Sequence, residues 1–148
     1  MRDTEDFRLD PADDVHARAL QRLRTQEIGW LGSTGRNGYP HAVPVWFLWH
    51  DDAVLTFSQP HAAKAKNLRA DPRAMFHLES GEHGDHLQLL QGIAEFSELS
   101  AAEWFEQVGE AYLAKYQAGL DRLGWTVQRL TDVYSLAIVV RPRKLIAW

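Results

Sequence analysis

The chain has 148 residues, about one domain by length, with 45% hydrophobic and 24% charged residues and a formal net charge of −4. A folded domain with this charge has no basic excess for binding DNA or RNA, so we expect no nucleic-acid partner. The chain has no cysteine, which excludes disulfides, thiol nucleophiles and cysteine-ligated metals.

The first elements in chain order are a helix and two hairpins. Apolar residues recur at helical spacing up to about Thr25, and Pro11 after Asp10 suits a helix start. The dipeptide Asn37-Gly38 predicts a tight turn between strands over 27–34 and 41–50. A second tight turn at residues 51–52 leads into a strand over 53–58. Consecutive hairpins predict an antiparallel sheet.

The rest of the chain contains further predicted helices and strands. The predicted elements are a helix over 61–70, strands over 73–79 and 86–96, helices over 101–117 and 120–130, and a strand over 133–140 leading into the apolar end. Pro44 and Gly92 within strands favour a closed barrel over an open sheet. The sequence therefore predicts one mainly β (α+β) domain over residues 1–148, a small six-stranded antiparallel barrel with flanking helices.

A candidate anion site lies where the strand over 53–58 leads into the helix over 61–70. Ser58 ends the strand, and Lys64 and Lys66 lie within the first two turns of the helix. Free N–H groups at a helix start, a hydroxyl and nearby cations are the groups that bind phosphate. The alternative is a basic helix face in contact with solvent.

Residues 43–49 form an aromatic strand that is apolar on both faces. One face carries Val43, Val45, Phe47 and Trp49, and the other carries Pro44, Trp46 and Leu48. One face can belong to the barrel core, so the other needs a helix, a partner subunit or a planar ligand to cover it. Pro44 has no N–H, which interrupts the ladder and leaves backbone groups that a heterocycle can bind.

Other motifs indicate no further chemistry. Residues 32–38 read as a hairpin turn, and residues 82–86 have metal-ligand side chains but read as an exposed polar turn. We therefore expect no metal. The residues after Met1 do not form a signal peptide, and the longest apolar run, 42–49, is too short to span a bilayer. A cytoplasmic protein without a membrane partner is expected.

Several segments together resemble the pyridoxamine 5'-phosphate oxidase-like FMN-binding split barrels. Within that family they are most similar to the actinobacterial branch proposed to use the deazaflavin coenzyme F420. The segments are residues 37–49, Ser58, residues 63–73, residues 91–94 and residues 141–148. The resemblance covers about residues 27–148. It implies a six-stranded split barrel that forms a homodimer with two cofactor sites at the interface.

The resemblance also implies which residues bind FMN or F420. The residues implied to line the ring system are Val43, Pro44, Val45 and Trp46. Ser58 and Lys64, helped by Lys66, are implied to hold the phosphate. Asn67, which belongs to the same motif, is included among the implied cofactor-binding residues. Many relatives have a basic residue two positions before Lys64, where this chain has Ala62.

The predicted function is that of a flavin- or deazaflavin-dependent oxidoreductase. It would transfer hydride between the cofactor and an unidentified small organic substrate. Hydride transfer itself needs no acid or base, so no catalytic residue is assigned, although His41 adjoins the cofactor strand. One alternative is a non-catalytic protein that binds or senses a flavin or tetrapyrrole. Another is an FMN-dependent pyridoxamine phosphate oxidase.

Overall fold

The first helix of the described chain starts later than the sequence predicts. The computed structural model describes residues 7–148. Residues 1–6, for which the sequence predicts no signal peptide, lie outside the described residues. Helix α1 spans Asp14–Thr25. Its N-cap is Asp13, whose carboxylate accepts hydrogen bonds from the Val15 and His16 amides at 2.9 and 3.1 Å. This cap fixes the helix start after Pro11.

The remaining described elements are seven strands and three helices. In chain order they are β1 (Gly29–Thr34), β2 (Pro40–Val45), β3 (Leu48–His50), β4 (Ala53–Ser58), α2 (Ala63–Ala70), β5 (Arg73–Leu78), β6 (Gln88–Phe96), α3 (Ala101–Leu123), α4 (Val127–Val133) and β7 (Leu136–Ala147). Helix α3 continues past the predicted end at 117 because its buried stripe extends from Tyr116 to Leu120. Strand β7 is also longer than predicted, since residues 141–147 continue to pair with β6.

The strands form one antiparallel sheet in the order β2-β1-β5-β6-β7-β4-β3. The segment predicted as one strand over 41–50 is divided, so seven strands replace the six predicted. β2 pairs with β1 at one edge, and β3 pairs with β4 at the other. Only Trp46 and Phe47 join β2 to β3, so the two edge strands follow each other directly in the chain and the sheet is curled. The rings of Phe47 and of Phe76 in strand β5 pack with centroids 4.8 Å apart.

The predicted turns and the predicted strand irregularity are confirmed. Gly38 has a φ of 81°, and Asp51 and Asp52 have φ values of 50° and 57°, as tight hairpin turns require. The register of β6 against β7 shifts between Gln91 and Gly92. A side chain at Gly92 would meet the Arg141 carbonyl oxygen at 2.3 Å, so a bulky residue cannot occupy the bulge.

Two hydrophobic clusters lie on opposite faces of the curled sheet. The inner cluster includes Val45, Phe47 and the buried face of α1, and the outer cluster includes Leu48 and the buried face of α3. The alternation predicted for residues 43–49 is therefore confirmed, and α3 covers much of the outer face. Among the described helices, none is long and apolar enough to cross a membrane.

Candidate functional site

A cavity of about 470 Å³ lies between the end of β2 and the corner where α3 meets α4. This volume is within the usual range for small-molecule sites. The described residues that line it are Ile28, Pro44, Val45, Trp46, Phe57, Lys64, Tyr112, Arg122, Leu123, Trp125, Leu130 and Tyr134. The fold thus brings Lys64, which is distant in sequence, to the strand end at Pro44–Trp46.

The Trp46 indole forms one wall and is fixed by α3. It stacks on the Tyr116 ring with centroids 4.6 Å apart and an interplanar angle of 6°. Gly119 allows this approach, because a Cβ there would lie 2.9 Å from the indole. The Trp46 carbonyl also accepts a hydrogen bond from the Thr56 hydroxyl at 2.7 Å. These contacts hold a flat aromatic surface at the cavity.

Side chains of α3 provide hydrogen-bond partners for the backbone groups of Phe47, where the chain leaves β2. The Tyr116 hydroxyl accepts a hydrogen bond from the Phe47 amide at 2.8 Å and donates to the Glu27 carbonyl at 2.6 Å. Lys115 donates to the Phe47 carbonyl at 3.0 Å. Buried backbone groups that leave a ladder need such partners. The side chains of α3 therefore fix where β2 ends and how its last residues face the cavity.

Lys64 is the cation at the strand side of the cavity. Burial without a compensating partner lowers its pKa from the ordinary lysine value. Within residues 7–148 the structure gives its ammonium group no hydrogen bond and no ion pair. The N-terminal end of α2, where Lys64 lies, has no side-chain cap either, because its N-cap residue is Ala62. An anion here would replace the solvation that burial removes from Lys64.

The other predicted phosphate-binding residues do not line this cavity. Ser58 is 0% exposed, and its hydroxyl donates to the Gln59 carbonyl at 2.9 Å. The Lys66 side chain is exposed. The Asn67 amide donates to the Ser33 hydroxyl at 3.1 Å and so joins α2 to β1. Their roles toward a cofactor remain predictions.

The ring-contacting segment divides between two environments. Pro44, Val45 and Trp46 line the cavity, whereas Val43 is half-buried and packs against the inner cluster. Val43 and Val45 share the inner face of β2, and Pro44 and Trp46 lie on the outer side. Val45, the last residue of the strand, belongs to the inner cluster and also lines the cavity. The side chain of Val43 therefore contacts the core and not the cavity.

The α3–α4 corner supplies cavity residues that the sequence analysis missed. Arg122, Leu123, Trp125 and Tyr134 all line the cavity. The one feature of the sequence that indicates this corner is Gly124, which ends α3 in the left-handed conformation with a φ of 67°. A helix end predicts a corner, but not which part of the sheet that corner faces.

A second concavity is an open groove of about 630 Å³. It is lined by residues of β1, β2, β5, β6 and β7, including His41, Arg73 and Lys144. The His41 Nδ1 atom is buried and has no hydrogen-bond partner. Residues 82–86 are exposed in the turn between β5 and β6. Among the described residues no group of three or more His, Asp or Glu side chains could hold a metal.

Sequence comparison identifies the family. The family model described as pyridoxamine 5'-phosphate oxidase matches residues 15–145, which is most of the chain. The chain therefore belongs to this family, and the resemblance found in the sequence is confirmed. No protein among the curated sequences matches the chain.

Solved structures share the fold at low sequence identity. A conserved hypothetical protein from Mycobacterium tuberculosis is 24% identical, with a TM-score of 0.69 over 89% of this chain and 82% of its own. An F420 reductase is 19% identical, with a TM-score of 0.62 over 85% of this chain and 94% of its own. The heme storage protein HutZ from Vibrio cholerae is 15% identical, with a TM-score of 0.64 over 95% of each chain. At these identities the comparisons show the split-barrel fold.

Proposed function

We propose that the protein is a flavin- or deazaflavin-dependent oxidoreductase that binds its cofactor in the 470 Å³ cavity. The observation that carries the proposal is the meeting of Lys64 with the end of β2 in one aromatic-walled cavity. A planar ring with a phosphate-bearing side chain needs a flat apolar surface and a cation, and both are present. Membership of the pyridoxamine 5'-phosphate oxidase family and the fold shared with an F420 reductase support the same reading.

The residues present fit such a cofactor. Lys64 would hold the phosphate, supplying charge-assisted hydrogen bonds that this half-buried lysine does not make within the described chain. Trp46 and the backbone of Pro44 and Val45 would place the ring, and the aromatic side chains around them would exclude water. When bound, the flavin or deazaflavin supplies the hydride chemistry. The protein contributes orientation and a dry site.

Replacing Lys64 by Ala tests the phosphate assignment. A hydrogen bond to a charged group contributes roughly 1.5–3 kcal/mol, so Lys64→Ala is expected to weaken FMN and F420 binding by about 10- to 150-fold. Riboflavin, which lacks the phosphate, should lose little affinity. Binding is measured by fluorescence titration. Lys66→Ala, which removes an exposed lysine from the same helix, is the comparison variant and should weaken binding less than Lys64→Ala does. Equal affinity of wild type and Lys64→Ala for FMN would contradict the assignment.

Electron transfer to an added acceptor separates an enzyme from a storage protein. An oxidoreductase keeps space over the ring for its substrate. The bound, reduced cofactor should therefore be oxidised rapidly by the small two-electron acceptor dichlorophenolindophenol. A tightly bound, reduced cofactor that dichlorophenolindophenol does not oxidise would favour the non-catalytic binder.

A tetrapyrrole binder is the second candidate, and His41 is the observation that favours it. His41 lines the 630 Å³ groove and its buried Nδ1 lacks a hydrogen-bond partner, and an imidazole can ligate iron through a ring nitrogen. The shared fold with the heme storage protein HutZ gives the reason to test it. Hemin titration should give a Soret shift that His41→Ala removes and that His61→Ala retains. Absence of the shift would leave the oxidoreductase as the better reading.

A further inference from the structure

The α3–α4 corner is a fixed wall of the cavity. Gly124 ends α3 in the left-handed conformation, and the Trp125 amide donates to the Leu120 carbonyl at 2.9 Å. Two side chains hold the Trp125 indole. The Tyr134 ring lies 6.1 Å from it, and the Arg129 guanidinium lies 4.7 Å from its centroid. The corner therefore presents a preorganised aromatic surface.

The same corner has an exposed apolar residue beside a cation. Leu123 is 51% exposed although it is a large hydrophobic side chain, and it lines the cavity next to Arg122. Across residues 7–148, Arg122 has no hydrogen-bond or ion-pair partner. None of the described residues that line the cavity is an Asp or a Glu. The described lining of the cavity thus has two basic side chains, Lys64 and Arg122, and no acidic one.

A purely structural role for Arg122 is the competing explanation. A basic residue in the last turn of a helix interacts favourably with the helix dipole. Arg24 has this position in α1, and it lies outside the cavity. A dipole interaction, however, requires neither a cavity nor an adjacent exposed Leu123. Comparison of the two arginines therefore distinguishes a structural role from a role in binding.

We propose that Arg122, with Leu123 and Trp125, recognises a small aromatic carboxylate as the substrate class of this site. The guanidinium matches a carboxylate in a two-pronged geometry, and a single arginine balances a single negative charge. Leu123 and the Trp125 ring contact the apolar body of the same molecule. The assignment rests on the proposed function in one respect: Lys64 is already taken by the cofactor phosphate, so Arg122 is the cation left for the substrate.

Cinnamate and its neutral amide, cinnamamide, are a matched pair of probes for this proposal. Their binding to the FMN-loaded protein is measured by ligand-observed NMR. Wild type is expected to bind cinnamate about tenfold more tightly than cinnamamide. Arg122→Gln should reduce this preference to less than twofold when both proteins are saturated with FMN. Arg24→Gln, which removes the same charge from the same position of another helix, should keep the wild-type preference.

The test of Arg122 can be carried out even if the proposed function is wrong. If FMN and F420 both fail to bind, the proposed function fails, and the same probe pair is then applied to FMN-free Lys64→Ala protein. In that protein Arg122 is the remaining cavity cation among the described residues, so a preference for cinnamate that Arg122→Gln removes still supports the inference. Equal binding of the two probes by wild type would overturn it. So would an identical loss of preference in Arg24→Gln.

Discussion

Tyr116 is the residue on which the site depends most. It is 2% exposed, its ring stacks on Trp46, and its hydroxyl joins the backbone of Phe47 to that of Glu27. These contacts provide hydrogen-bond partners for backbone groups at the end of β2, where the pairing between strands stops. One side chain on α3 therefore sets both the end of the strand and the cavity wall.

Replacing Tyr116 by Phe is expected to lower the free energy of unfolding by about 1–3 kcal/mol, the usual effect of leaving a buried polar group without a partner. The ring, and so the stacking on Trp46, is retained. Urea unfolding monitored by circular dichroism measures the difference. Tyr39→Phe is the matched control, because Tyr39 is 72% exposed and should change stability by less than about 0.5 kcal/mol. Equal stability of Tyr116→Phe and wild type would contradict the role of the hydroxyl.

Lys115, beside Tyr116, is a half-buried lysine with an unusual environment. Its ammonium group lies 3.7 Å from the centroid of the Phe47 ring and donates to the Phe47 carbonyl. Burial lowers its pKa to about 8, and the Glu27 carboxylate opposes that shift in part. Between the folded pKa and the ordinary value of 10.5, the unfolded chain binds more protons at Lys115 than the folded chain does.

The stability of the protein should therefore rise with pH through the titration of Lys115. We expect the free energy of unfolding of wild type, relative to Lys115→Met, to increase from pH 7.5 to 9.5. The difference excludes contributions shared by both proteins, such as ionisation of tyrosines at higher pH. Lys66→Met is the control, since Lys66 is exposed and its difference from wild type should stay constant. A flat difference for Lys115→Met would contradict the burial of a charged lysine.

At the scale of elements, the packing of α3 against the end of β2 shapes the cavity. The helix carries its buried residues at four-residue spacing, with Val108, Tyr112, Tyr116 and Leu120 facing the sheet. Gly119 lies beside this stripe and leaves room for the Trp46 indole. The helix can approach the strand this closely because residue 119 has no side chain.

Substitution of Gly119 by Ala tests that packing. Helix propensity favours Ala by about 1 kcal/mol, but the new Cβ would lie 2.9 Å from the indole and displace it. We expect weaker binding of FMN and a shifted tryptophan emission maximum, with little gain in stability. Ala114→Gly, at an exposed position of the same helix, measures the propensity effect alone. Unchanged FMN affinity in Gly119→Ala would show that the indole does not limit the cavity.

At the scale of the whole molecule, we propose that the protein is a homodimer. Strand β2 is an edge strand whose outward residues Ala42 and Pro44 are exposed, although this segment is rich in apolar residues. Trp148, at the end of the described chain, is 63% exposed. Exposed apolar and aromatic groups of this kind indicate a surface that a partner covers.

Light scattering measures the assembly directly. At micromolar concentration the mass is expected to be about twice the chain mass of 16.9 kDa. Replacing Trp148 by Ser should shift the equilibrium toward the monomer, because it removes apolar area from the proposed interface. Val15→Ser is the control, since Val15 is an exposed apolar residue on α1. A monomer mass for wild type would contradict the proposal.

The sequence by itself determined the local structure. Asn37-Gly38, the irregularity at Gly92 and the capping box at the start of α3, in which Ser100 and Glu103 bond to each other's backbone amides, each act through a few neighbouring residues. Their patterns therefore predict turns, a bulge and a helix start. The alternation of residues 43–49 also determined which side chains face the core. The family motifs pointed to Lys64 and Pro44–Trp46, which the structure places around one cavity.

Only the tertiary structure decided how those elements meet. The division of one predicted strand into β2 and β3 depends on the hydroxyls of Tyr116 and Thr56, which lie elsewhere in the chain and satisfy the backbone at residues 46 and 47. The same packing places Arg122, at the far end of α3, among the residues that line the cavity. These contacts join residues that are far apart in the sequence. They stabilise the protein only after the sheet has curled and brought those residues together, so the pattern of neighbouring residues does not predict them.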